Sequence, residues 1–149
     1  MKGAQREALR ERRVSVRFAG YAAVFDAVDR GGDVVRAGAF GDAPVAVPLL
    51  WQHHGAPIGV IERIAPDARG LRVIGRIDDA RVAALVRGGA VSGLSIGFRA
   101  RAARRGRVRE LTAIDLVEVS VVALPMQREA RVLAVASSPL PDREGRREG

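Results

Sequence analysis

The stretch that decides the fold lies at residues 94–101 and reads Leu-Ser-Ile-Gly-Phe-Arg-Ala-Arg. Its apolar side chains fall on alternate positions, which is the period of a β-strand with one buried face. After an arginine-rich turn comes the longest β-rich stretch, residues 108–124, which Pro125 ends. These two stretches predict a pair of long strands joined by a hairpin connection.

Further strands are predicted on both sides of this hairpin. They are residues 14–25, 45–53, 58–64, 71–77 and 131–136. Pro48 interrupts the second of them, which therefore lies near a sheet edge or a bulge. The composition of residues 29–33 and 66–70 is typical of turns.

One helix is predicted between residues 78 and 89. Asp78 or Asp79 can cap its start, and Gly88-Gly89 can end it. Between the ends, apolar residues share a face at helical spacing: Val82, Leu85 and Val86. The fold class is therefore mostly β, a closed or nearly closed β-barrel with one or two helices.

The 149 residues suffice for one domain with a real core. We expect a charged N-terminal arm at residues 1–13, the domain at 14–136, and a disordered polar tail at 137–149. The N-terminus lacks the apolar segment of a signal peptide, and no stretch would span a bilayer as a helix. We expect a soluble protein made in the cytoplasm, with no membrane partner.

Composition excludes several kinds of site. The chain has no cysteine, hence no disulfide, thiolate metal site or cysteine nucleophile. Its two histidines, His53 and His54, are adjacent, which disfavours a zinc site built from separate elements. We expect neither a metal nor a cofactor. The net charge of +8 favours a polyanionic partner, although Lys2 is the sole lysine and such arginine bias is also typical of a GC-rich genome.

Ser95 is the first candidate for chemistry. On a strand it points away from the face of Leu94, Ile96 and Phe98, and its same-face neighbours are Gly93 and Gly97. We expect its hydroxyl to be displayed with open space on both sides, as a nucleophile that a peptide carbonyl must approach needs. A solvent-facing serine beside a bulge is the alternative. Ser92 is the reserve nucleophile, although it precedes Gly93 in a turn-like context.

A serine needs a base, which here must be His53 or His54. A third group would orient the imidazole, and the candidates are Asp115 and Glu118. Strand alternation places these two carboxylates on opposite faces, with Glu118 on the face of Ser120. Glu118 lies within an apolar run, so it must be paired or functional, and an ion pair with an arginine is the alternative interpretation.

Taken together, the residues resemble a known family, the prohead proteases of tailed phages (Hong Kong ninety-seven type), which are related to herpesvirus assemblin. The resemblance rests on blocks that occur in the family's order. They are residues 20–25, 29–33, 38–40, 50–53, 57–59, 93–98, 116–122, 125 and 130–132. Residues 125–126 and 129–132 are similar to versions encoded by gene transfer agents.

The resemblance implies a serine endopeptidase that cuts the scaffolding segment from the major capsid protein, and then itself, inside the prohead in the host bacterial cytoplasm. The portal and a second copy of the chain are further candidate partners. The resemblance also implies Ser95 as nucleophile and His53 as base. Assemblin has a second histidine as its third residue, which this chain cannot supply, so Glu118 is assigned and Asp115 held in reserve. We expect oxyanion donors in the loop around Arg128.

Two alternatives stay open. The chain could keep the fold as an inactive assembly factor, or it could be a basic β domain that binds nucleic acid. Residues 99–109 carry an arginine cluster that could bind phosphates, but the cluster has no interleaved aromatic residues. We therefore interpret it as a solvated hairpin connection and do not expect specific nucleic-acid binding.

Overall fold

The computed structural model describes residues 14–42 and 46–139. Within these ranges the chain forms eight strands and one α-helix, which confirms a mostly β fold. In chain order they are β1 (Val14–Val24), β2 (Asp33–Val35), β3 (Leu49–Trp51), β4 (His54–Pro66), β5 (Gly70–Ile77), α1 (Ala80–Arg87), β6 (Gly93–Arg105), β7 (Arg109–Val122) and β8 (Val132–Pro139).

The eight strands belong to one sheet that does not close. Its order is β2-β7-β3-β4-β5-β1-β8, and β6 pairs with β7. β7 is the central element, since it pairs antiparallel with β6 and parallel with both β2 and β3. One isolated bridge, between Gly93 and Arg131, links β6 to the residue before β8. Of the two predicted forms, the fully closed barrel is therefore not formed.

The core between the strands is mainly aliphatic, as the scarcity of aromatic residues predicts. Leu49, Leu71, Leu94 and Leu111 are completely buried, and each comes from a different strand. Burying one such side chain contributes roughly 1.5–3 kcal/mol. The strand that carries Ser95 is thus anchored through the residue just before it.

The helix begins and ends where its sequence predicts. The side chain of Asp79 accepts a hydrogen bond from the Val82 backbone N–H at 3.0 Å, which caps the first turn. Gly88 follows the last helical residue as the C-cap. Val82 and Val86 are buried against the sheet.

Several boundaries differ from the predictions. Of the two positions predicted for the strand near Pro48, β3 is not at an edge, because it lies between β7 and β4, but its pairing with β4 does contain a bulge or irregularity, between Leu49 and Trp51. β6 runs on to Arg105 and shortens the predicted arginine-rich turn to residues 106–108. β8 ends at Pro139 rather than at residue 136, because its last residues still pair with the start of β1. The predicted N-terminal arm and most of the predicted tail lie outside the described residues.

Candidate active site

His53 occupies a tight turn between β3 and β4. Trp51 pairs with His54, so Gln52 and His53 are the two central residues of a hairpin turn. Both have positive φ, 54° and 69°, as in a type I′ turn, where Asn and Gly are usual. A residue with a side chain costs roughly 1–2 kcal/mol in this region. Such strain persists only where surrounding contacts hold it.

Hydrogen bonds from β7 and the residue after it hold this strained turn. The backbone N–H of Gln52 donates to the Val121 carbonyl at 3.0 Å, and the Gln52 side chain accepts from the Ala123 N–H at 3.0 Å. The backbone N–H of His53 donates to Ser120 Oγ at 3.0 Å. The position of the imidazole is therefore set by β7.

Glu118 contacts the same histidine from β7. Its Oε2 lies 2.6 Å from His53 Nδ1, and its Oε1 accepts a hydrogen bond from Ser120 Oγ at 2.7 Å. The Glu118 side chain is 9% exposed and that of His53 is 43% exposed. Among the described residues no arginine pairs with Glu118, so the alternative of an arginine ion pair does not apply.

Gly97 makes room for this carboxylate. It is the residue opposite Glu118 in the β6–β7 ladder. A Cβ atom at Gly97 would overlap with Glu118 Oε2. The glycine therefore serves the Glu118–His53 contact.

Ser95 lies on β6 directly opposite Ser120 and is 7% exposed. The expectation of open space on both sides of it is wrong. A Cβ at Gly93 would lie 2.6 Å from the Val122 carbonyl oxygen, and the space beside Gly97 holds Glu118. The flanking glycines admit protein neighbours, so a substrate must reach Ser95 from another direction.

A cleft of about 220 Å³, lined by both Ser95 and His53, gives a substrate access to Ser95. Leu94, Ile96 and Phe98 line it too, so consecutive residues of β6 border the cleft. The Leu94 N–H donates to the Ala130 carbonyl at 2.9 Å. After Leu94, no strand in the described part of the chain pairs with the edge of β6 that faces away from β7. The cleft is therefore open to a polypeptide at the strand that carries Ser95.

Two acidic residues, Asp29 and Asp33, also line the cleft. Asp29 Oδ1 accepts the N–H groups of Gly31 and Asp33 and so orders the turn between β1 and β2. Asp33 makes a two-pronged pair with Arg109, at 2.8 and 2.7 Å. This hydrogen-bonded guanidinium lowers the pKa of Asp33. Asp33 is thus held as a carboxylate.

The reserve residues lie elsewhere. Ser92 accepts a hydrogen bond from Arg131, and Asp115 pairs with Arg101 on the exposed surface. His54 is exposed at the start of β4. None of the three lines the cleft. The structure therefore gathers Ser95, His53 and Glu118 and separates their alternatives.

Sequence reasoning missed the parts played by Ser120 and Gln52. Strand alternation places Ser120 on the face of Glu118, and this shared face is the signal that could have identified Ser120. Gln52 gave no such signal, because glutamine is not one of the residues that indicate a two-residue hairpin turn.

Two further properties concern the described ranges, residues 14–42 and 46–139. They contain no cluster of three or more His, Cys, Asp or Glu side chains that could hold a metal ion.

The one helix described there is too short and too polar to cross a membrane.

The fold is that of the herpesvirus proteases. The protease of KSHV, solved with a hexapeptide phosphonate inhibitor, superposes with a TM-score of 0.55 at 13% identity, covering 83% of this chain and 65% of that one. The varicella-zoster virus protease gives a TM-score of 0.50 at 13% identity, covering 83% and 64%. At such identities the likeness concerns the fold alone.

Sequence comparison places the chain more narrowly. The model of the caudovirus prohead serine protease family matches residues 4–140. The prohead protease of Enterobacteria phage HK97 is 31% identical over 137 residues, an alignment that covers 80% of this chain and 60% of that protein. The chain belongs to the caudovirus prohead serine protease family, and the resemblance read from its motifs is confirmed. The chain spans about 60% of the length of the HK97 prohead protease.

Proposed function

We propose that the chain is a serine endopeptidase of capsid maturation, with Ser95 as nucleophile, His53 as base and Glu118 as the group that orients His53. The observation that carries this proposal is the 2.6 Å contact between Glu118 Oε2 and His53 Nδ1. That contact occupies Nδ1 and leaves Nε2 as the basic nitrogen. Both His53 and Ser95 line one cleft.

In the first step Ser95 Oγ attacks the carbonyl carbon of the scissile peptide bond while His53 Nε2 takes the hydroxyl proton. The tetrahedral intermediate collapses, the C–N bond breaks, and His53 returns the proton to the leaving amine. Water then hydrolyses the acyl-enzyme, with His53 again acting as base. Glu118 stabilises the imidazolium formed in each half of the reaction.

The oxyanion donors belong to the loop after β7 in this proposal. Met126, Gln127 and Ala130 of this loop line the cleft beside Ser95. Arg128 lies between them, and its carbonyl accepts a hydrogen bond from Arg131 Nε at 2.9 Å, which orders the loop. A backbone N–H aimed at the developing oxyanion is worth about 2.7–4 kcal/mol.

Family membership supports the substrate and the location. We assign as substrate the scaffolding segment of the major capsid protein, followed by the chain itself. The reaction takes place in the host bacterial cytoplasm within the assembling prohead. The portal and a second copy of the chain are the partners that would retain the enzyme there.

Co-expression tests this proposal. The chain and its Ser95→Ala variant are each produced with the major capsid protein encoded beside it, and the capsid protein is sized by intact mass spectrometry. We expect a shortened capsid protein with the wild-type chain and with a Ser92→Ala control, and none with Ser95→Ala. Identical fragments from all three would show that Ser95 is not the nucleophile. No fragments from any of them would favour an inactive assembly factor.

A further inference from the structure

An exposed run of arginines extends from the site along β6 and into the turn that follows. We call residues 99–107 the arginine ribbon. It holds five arginines in nine residues and no acidic residue. Every residue of the ribbon is exposed. Its members are Arg99, Arg101, Arg104, Arg105 and Arg107.

Most of this charge is not neutralised. Within the described part of the chain Arg101 is the one ribbon arginine with an ion pair, to Asp115 at 2.8 Å. The nearby carboxylates are already engaged, since Asp33 pairs with Arg109 and Glu110 pairs with Arg36. The ribbon therefore presents a positive field to an incoming partner.

The ribbon adjoins the cleft at two points. Phe98 lines the cleft and immediately precedes Arg99. Asp33 also lines the cleft and is bound to Arg109, just beyond the other end of the ribbon. A strand rises about 3.3 Å per residue, so Arg99 and Arg105 lie roughly 13 and 33 Å along β6 from Ser95. An extended polypeptide leaving the cleft along β6 would meet the arginines about four to ten residues from its scissile bond.

We infer that the arginine ribbon is an exosite for an acidic segment of the polypeptide substrate, an inference that rests on the proposed protease function. The partner is a polypeptide because the ribbon continues from the cleft. Nucleic acid fits less well, because residues 99–109 offer no aromatic side chain on which a base could stack. The ribbon touches no reacting atom, so it acts on capture of the substrate rather than on bond cleavage.

Binding is measured on the full chain carrying Ser95→Ala, by fluorescence anisotropy. The probes are a labelled glutamate-rich peptide, a glutamine-rich peptide of equal length, and a short DNA duplex. The ribbon variant is Arg104→Glu/Arg105→Glu. The control is Arg81→Glu/Arg87→Glu on α1, which makes the same change in net charge at exposed arginines away from the cleft.

We expect the glutamate-rich peptide to bind and the glutamine-rich peptide not to bind. The ribbon variant should weaken binding roughly tenfold, since rim charges of this kind govern capture, and the α1 control should leave it within about twofold. Equal loss in both variants, no binding, or tighter binding of the duplex would overturn the exosite.

A kinetic measurement separates this inference from the proposed function. On the capsid protein the ribbon variant should keep kcat and raise KM. Cleavage by the ribbon variant with unchanged KM would also overturn the exosite. If the wild-type chain binds the acidic peptide but cuts nothing, the protease assignment fails while the binding surface stands.

Discussion

Glu118 and His53 lie 65 positions apart in the chain, yet Oε2 of one and Nδ1 of the other are 2.6 Å apart. β7 brings the two side chains together. Glu118 belongs to this strand, and Ser120, two residues further along it, accepts a hydrogen bond from the His53 backbone N–H. The buried partner of this pair is the carboxylate and the accessible partner is the imidazole. This arrangement suits a carboxylate that orients a catalytic base, because the imidazole that acts as the base must reach the cleft.

Glu118→Gln should remove the charge that stabilises the imidazolium in the proposed mechanism while keeping the side chain's size. We expect kcat on the capsid protein to fall by roughly 10²–10⁴-fold, as for the equivalent change in serine protease triads. Asp115→Asn is the matched control and should keep kcat, because among the described residues the Asp115 carboxylate pairs with exposed Arg101 alone. The reverse ranking of the two variants would move the orienting role to Asp115.

Ser120→Ala should damage both stability and rate. It leaves the His53 N–H and Glu118 Oε1 without their bonds to the hydroxyl. A buried group without a partner costs about 1–3 kcal/mol, which urea unfolding would measure. Ser120→Thr keeps the hydroxyl, so it should recover a larger share of kcat than of stability. Equal kcat in the alanine and threonine variants would deny Ser120 a positioning role.

Gly97→Ala should disrupt the site through contact alone. The new methyl group would overlap with Glu118 Oε2 and push the carboxylate from His53. We expect kcat to fall at least tenfold, because a small misplacement of catalytic groups costs about 10²-fold. Gly106→Ala is the control for kcat, since a Cβ there would meet no described atom nearer than the Val108 carbonyl oxygen at 4.0 Å. An active Gly97→Ala enzyme would argue against the contact.

Acid should reduce the contribution that the Asp33–Arg109 pair makes to the free energy of unfolding. The pKa of Asp33 is lowered in the folded state, chiefly by the hydrogen bond from Arg109. The pair therefore stabilises the fold fully above the unfolded aspartate pKa of about 3.9, and that stability is lost as the pH falls through the lower folded value. The difference in unfolding free energy between wild type and Asp33→Asn should shrink through this window. A constant difference would exclude the linkage.

The sequence predicted those features whose causes are local. The helix follows from Asp79, Gly88 and the spacing of its apolar residues, and simple alternation put Ser120 and Glu118 on one face. The parallel pairing of β3 with β7 could not be foreseen, because it joins distant segments and has no local signature.

The surroundings of Ser95 escaped prediction for a similar reason. A glycine shows only that a side chain is missing, not what fills the space. Gly93 and Gly97 proved to be filled by protein neighbours from β7 and the loop after it. The positive φ of Gln52 and His53 was likewise not foreseen, because positive φ is uncommon for any residue other than glycine, even though histidine is enriched among the exceptions.

The most direct test of the central claim is covalent labelling of the nucleophile. The purified chain is treated with a reactive organophosphonate, digested and mapped by tandem mass spectrometry, beside the His53→Ala and Ser95→Ala variants. We predict a single adduct on Ser95, formed much more slowly in His53→Ala and absent from Ser95→Ala. An adduct on Ser92 or Ser120, or labelling of Ser95 at the same rate without His53, would contradict the site described.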